Sequence, residues 1–72
     1  MRVLHLLKGA DAGLALETIA QQRAAGDIVT LALLPGAALA PPAGVTVRRV
    51  PGELSWDGLL EEIFQADQVI TW

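Results

Sequence analysis

The side chains able to do chemistry in this chain are few and widely spaced. His5 is the only histidine and Lys8 the only lysine. His5 lies within the apolar run Arg2 to Leu7 (RVLHLL), near the C-terminal end of what reads as a first strand, where open α/β sheets place their ligands. An imidazole there could bind a small molecule, bond across an interface or serve as a pH-sensitive contact. A lone His in an apolar strand is usually a satisfied core or interface residue. The acids Asp57, Glu61 and Glu62 form a second group, with Asp57 and Glu61 four apart and so on one helix face. A metal would want His, Cys or further carboxylates around them, and the sequence supplies none, so they read as a solvated face.

The segment Lys8-Gly9-Ala10-Asp11-Ala12-Gly13 joins the first strand to a helix, where dinucleotide folds cradle phosphate. It has neither the G-x-G-x-x-G nor the P-loop spacing, and Asp11 would oppose an anion. The chain contains no cysteine, which removes persulfides, disulfide relays and thiolate nucleophiles. No catalytic residue, metal ligand set or cofactor motif is visible, and the expectation is a non-enzymatic protein. The tryptophans stand out instead. Trp56 and Trp72 are two of only three aromatics, Phe64 being the other. Trp is favoured at interface hot spots because it buries a large area and carries one polar handle. Two core tryptophans are the competing reading, and the sequence leaves both open. The interface or binding candidates are therefore His5, Lys8, Trp56, Asp57 and Trp72.

These residues need elements to hold them. RVLHLL has the continuous apolar character of a buried central strand. Ala12 to Ala25 reads as a helix with Asp11 at its N-cap and Gly26 at its C-cap. Leu16, Ile19, Ala20 and Arg23 line one side of it, and Glu17, Thr18, Gln21 and Gln22 mostly the other. Ile28 to Leu34 (IVTLALL) is a second buried strand. PGAALAPPAG, residues 35 to 44, is a loop with a possible short turn at residues 37–39. Val45 to Val50 (VTVRRV) is a third strand, more amphipathic and nearer an edge. Ser55 to Ala66 is a second helix, capped by Ser55, with an apolar stripe of Trp56, Leu59, Leu60, Ile63 and Phe64. Val69 to Trp72 is a fourth strand.

Alternating elements predict an α/β fold with a small, mainly parallel four-stranded sheet and one helix on each face. Right-handed crossovers with the first strand beside the third give the order 2-1-3-4. Trp72 is then expected to pack on the helix led by Trp56 or to fill a partner surface.

Composition bounds the rest. Seventy-two residues allow one domain, close to the lower limit for a single core. With 53% hydrophobic and only 18% charged residues, the chain has little polar covering, and association is the expected staple. The net charge is −3, and residues 51–72 carry five acids (Glu53, Asp57, Glu61, Glu62, Asp67) with no Lys or Arg, which disfavours direct nucleic-acid binding. The Arg48-Arg49 pair is too short for a basic patch. MRVLHLLKGA breaks at Lys8-Gly9, and no apolar span of about 18 residues occurs, so no membrane segment and a cytoplasmic location are expected.

The two ends of the sequence carry a resemblance. SWDGLLEEIFQADQVITW, residues 55 to 72, resembles the C-terminal part of the DsrH/TusB family of sulfur-relay subunits. Trp56-Asp57 stands for that family's aromatic-Asp step opening a helix, and Val69 to Trp72 for its last strand, which closes on a small polar residue and Trp. Val3-Leu4-His5-Leu6-Leu7 is similar to the family's opening Met-Leu-His-x-Leu strand. The resemblance covers about residues 1 to 8 and 54 to 72. The chain departs from the family in its middle, where PGAALAPPAG stands in place of a central helical segment, so it reads as a short and divergent relative. What the resemblance implies is a DsrE-like domain over residues 1–72 that works without catalysing, within an oligomer containing DsrE/TusD-type proteins. The partners would carry the sulfur-bearing cysteine, in tRNA wobble-uridine 2-thiolation or sulfur oxidation. The alternative is a small Rossmann-like module that binds a ligand beside His5 and Lys8, or self-associates.

Overall fold

A computed structural model describes residues 1–9, 13–37 and 43–72. Its element order is β1 (Arg2–Leu7), α1 (Gly13–Ala24), β2 (Ile28–Leu33), β3 (Thr46–Arg49), α2 (Trp56–Gln65) and β4 (Gln68–Thr71). The expected elements all form, each within two residues of its expected bounds. The expected Asp11 cap and part of the turn at residues 37–39 lie outside the described residues. Apolar runs make β1 and β2, while β3 (TVRR) bears two arginines and β4 (QVIT) alternates its polar ends with two apolar residues.

The helix ends are set locally. Gly26, at φ +90, closes α1: its N–H donates to the Arg23 carbonyl at 3.0 Å and the Asp27 N–H to that of Gln22 at 3.0 Å. This pair of bonds is the Schellman motif, which needs a left-handed residue at that place. Ser55 caps α2, its Oγ accepting from the Gly58 N–H at 3.0 Å. Leu54, just before the cap, packs on the cluster that contains Leu59, as in a hydrophobic staple. Asp57 adds a negative charge in the first turn, at the positive end of the helix dipole.

The four strands are parallel and form one sheet, ordered β3-β2-β1-β4. The α/β class and the parallel sheet match the sequence reading; the order 2-1-3-4 is corrected to 3-2-1-4. Both orders satisfy right-handed crossovers with one helix per face, so handedness does not choose between them. Burial does. In β2, Val29, Leu31, Ala32 and Leu33 are all buried, which uses both faces and calls for a strand on either side. No residue of β3 is buried, so it belongs at an edge. Placing β3 beside β2 also keeps the sideways displacement between these consecutive strands to one strand spacing of about 4.8 Å.

The core has two halves. On the α1 side, Leu7, Ile19, Val29, Leu31 and Leu33 are buried together, with Leu16, Val47 and Trp72 packed on them. On the α2 side, Leu4, Ala32, Val50 and Leu59 form the second cluster, with Leu6, Leu54, Ile63 and Ala66 against it. Strand alternation accounts for the split: Val3, His5 and Leu7 face α1, while Leu4 and Leu6 face α2. Strands β2 and β3 are added on one side of β1 and β4 on the other, so the topological switch point of this parallel sheet lies between β1 and β4.

Candidate interaction surface

His5 lies in the middle of β1, paired with Leu31 on one side and Ile70 on the other. Its side chain is 0% exposed. Burial of an imidazole is tolerable only when both nitrogens have partners. Trp72, directly after β4, donates from its indole N–H to His5 Nδ1 at 2.9 Å. Since an indole N–H can only donate, Nδ1 is the acceptor and the ring proton sits on Nε2. That N–H donates to Gln22 Oε1 of α1 at 2.6 Å. The two rings lie nearly parallel, 11° apart with centroids separated by 6.0 Å. Among the described residues no buried side-chain nitrogen or oxygen lacks a partner.

The chain Gln22–His5–Trp72 therefore ties α1, the central strand and the edge strand β4 together. Backbone bonds reinforce the same edge. The Trp72 N–H donates to the Leu6 carbonyl at 2.9 Å and the Asp67 N–H to that of Arg2 at 2.8 Å. The Arg2 N–H returns a bond to Asp67 Oδ2 at 2.7 Å. Trp72 thus stands at the switch point and turns its indole inward to the core.

The other face of the sheet carries the exposed surface. Along α2, Leu59 is buried and Ile63 half-buried, whereas Trp56, Leu60 and Phe64 are 52%, 53% and 85% exposed. Residues four apart stack along one side of a helix, so these three form a single stripe on its shoulder. Glu62, Gln65 and Ala66 line a cleft of about 210 Å³ over Arg2, Val3, Leu4, Ile28 and Thr30, which directs that side of α2 toward β2. The Trp56–Leu60–Phe64 side consequently overhangs β4. There Val69, in register with Leu4 and so on the same sheet face, is 38% exposed. Asp57 and Glu61 follow the stripe on its solvent side, and both are exposed.

The five candidates fall in three places. His5 and Trp72 join in one buried network, Trp56 and Asp57 lie on α2 across the sheet, and Lys8 is exposed just beyond β1. His5 is sealed by Trp72 and Gln22, whereas Lys8 faces solvent, so the two are not brought together on one exposed surface among the described residues. The expectation that Trp72 packs on the helix led by Trp56 is corrected: it packs on the α1 side, since alternation along β1 turns His5 that way. Gln22, expected to face outward, points inward with Ala15 and Ile19 on the buried side of α1. Its spacing of three from Ile19 and seven from Ala15 was the available signal. The exposure of Leu60 and Phe64 was also missed, because an apolar stripe on a short helix reads as core when neighbours are unknown.

Among the described residues no group of three or more His, Cys, Asp or Glu could hold a metal, and no helix is long and apolar enough to cross a membrane. Compared with protein-family models, curated proteins and solved structures, the chain matches none.

Proposed function

We propose that this chain is a non-catalytic subunit of a sulfur-relay complex, of the DsrH/TusB type, which supports sulfur transfer by a cysteine-bearing DsrE-type partner. The observation that carries this reading is the exposed apolar stripe of Trp56, Leu60 and Phe64. It begins at the Trp56-Asp57 step on which the family resemblance rests. Solvent-facing aromatics in a line are characteristic of docking surfaces rather than of free ones. The absence of cysteine suits a subunit that supports the transfer without carrying the sulfur. His5 and Trp72, the other residues of the resemblance, give the fold its central lock and so maintain the frame on which α2 is displayed.

The small ligand-binding module is the weaker reading, because His5 is closed off from solvent. The test is affinity purification of the tagged chain from its native host, followed by identification of retained proteins. Recovery of a cysteine-bearing DsrE-type protein at fixed stoichiometry is the expected result. Repeated recovery of partners without a sulfur-carrying cysteine overturns the sulfur-relay assignment.

A further inference from the structure

An all-parallel sheet is normally covered on both faces by helices. Here α2 is the one described helix on its side, and it covers the strands unevenly. Its core-facing residues, Leu59 and Ile63, pack over the central strands, while Val69 of β4 stays 38% exposed below the overhanging stripe. Trp56, Leu60 and Phe64 on the α2 shoulder and Val69 on β4 are thus apolar side chains that no described element covers.

Charge decides what fits over them. Residues 51–72 bear five acids and no base. Asp57 and Glu61 border the stripe, and both are exposed. The exposed arginine pair, Arg48 and Arg49, belongs to β3 at the opposite edge of the sheet. A second copy meeting this one through a two-fold axis would therefore bring two acidic surfaces together, since residues 51–72 offer no Lys or Arg to pair with Asp57 and Glu61. A copy joined head to tail through Arg48 and Arg49 would use the far edge of the sheet and would leave the same surfaces open at each end unless its rotation closed a ring.

We propose that the shoulder formed by Trp56, Leu60 and Phe64 of α2 above Val69 of β4 docks an amphipathic helix of a different protein, with apolar anchors at helical spacing flanked by Lys or Arg. The helix completes the layer over β4, and its basic residues meet Asp57 and Glu61. This assignment rests on the reading of the chain as a docking subunit, but it does not depend on the sulfur pathway. If purification returns a partner outside sulfur transfer while the basic helix binds, the pathway fails and the surface stands.

The test uses the full chain, labelled with 15N, and two synthetic 18-residue amphipathic peptides with the same apolar positions. One carries Lys and the other Glu beside the anchors. The Lys peptide is expected to shift the Trp56 indole and the amides of Leu60, Phe64 and Val69, and to lose affinity at least threefold between 50 and 300 mM salt, as charge pairing requires. The Glu peptide is expected to bind at least tenfold more weakly. Phe64→Ser, at an 85% exposed position, should leave folding intact and weaken Lys-peptide binding by tenfold or more. Equal binding of the two peptides overturns the charge assignment. Failure of both at millimolar concentration overturns the docking site. A concentration-dependent dimer in sedimentation, abolished by Phe64→Ser, assigns the shoulder to a second copy instead and also overturns it.

Discussion

Trp72→Phe isolates one hydrogen bond at the centre of the molecule. The substitution removes the indole N–H that satisfies His5 Nδ1 at 2.9 Å and keeps an aromatic ring in place. His5 is 0% exposed, so its acceptor cannot recover a water where it lies. A buried polar group left without its partner costs about 1–3 kcal/mol. Loss of the second ring adds some packing energy, but Trp72 is only partly buried, so the polar term should lead. Marginal stability of about 0.05–0.15 kcal/mol per residue makes a loss of roughly 2 kcal/mol a large share of the total. In a domain of this size each 1 kcal/mol moves Tm by about 4–8 °C. Urea and thermal unfolding followed by far-ultraviolet circular dichroism, with His5→Leu and the double variant, complete a cycle that isolates the pair. The expected coupling between positions 5 and 72 is about 1 kcal/mol. Long-range 15N spectra of the ring should show the Nε2–H form in the parent protein. A coupling near zero, or a ring protonated on Nδ1, would refute the network.

Three further outcomes follow from local geometry. Ser55→Ala removes the acceptor for the Gly58 N–H and should cost about 1 kcal/mol in the same unfolding assay, with Ser55→Asp restoring most of it. Gly26→Ala places a Cβ on a residue at φ +90 and should cost about 1–2 kcal/mol, while Gly52→Ala, in open space, should cost distinctly less. Leu31→Ala, at a 0% exposed position in the middle of β2, should cost about 2–5 kcal/mol and lower the urea midpoint without altering the α2 surface.

Legibility differed between elements for physical reasons. The strands β1 and β2 were readable because burial on both faces demands an unbroken apolar run. The bounds of α2 were readable because Ser55 caps it through its own side chain and needs no distant residue. Strand order was harder. Handedness permits two arrangements, and the choice rests on comparing how much burial β2 and β3 each require. The Gln22–His5–Trp72 network joins residues seventeen and sixty-seven positions apart, so no local pattern could show it. The stripe of α2 was legible as apolar, but its exposure was not, since exposure depends on which neighbours the fold supplies.

The sequence by itself determined the kinds of element and the caps at Gly26 and Ser55, because these follow from side-chain type and near neighbours. Only the tertiary structure decided that His5 is sealed in the core by Trp72 while Trp56, on the other side of the sheet, faces outward with Leu60 and Phe64. The reason is alternation along parallel strands. One residue's step along β1 sends a side chain to α1 or to α2, and the pairing of β4 with β1 then fixes what Trp72 can reach.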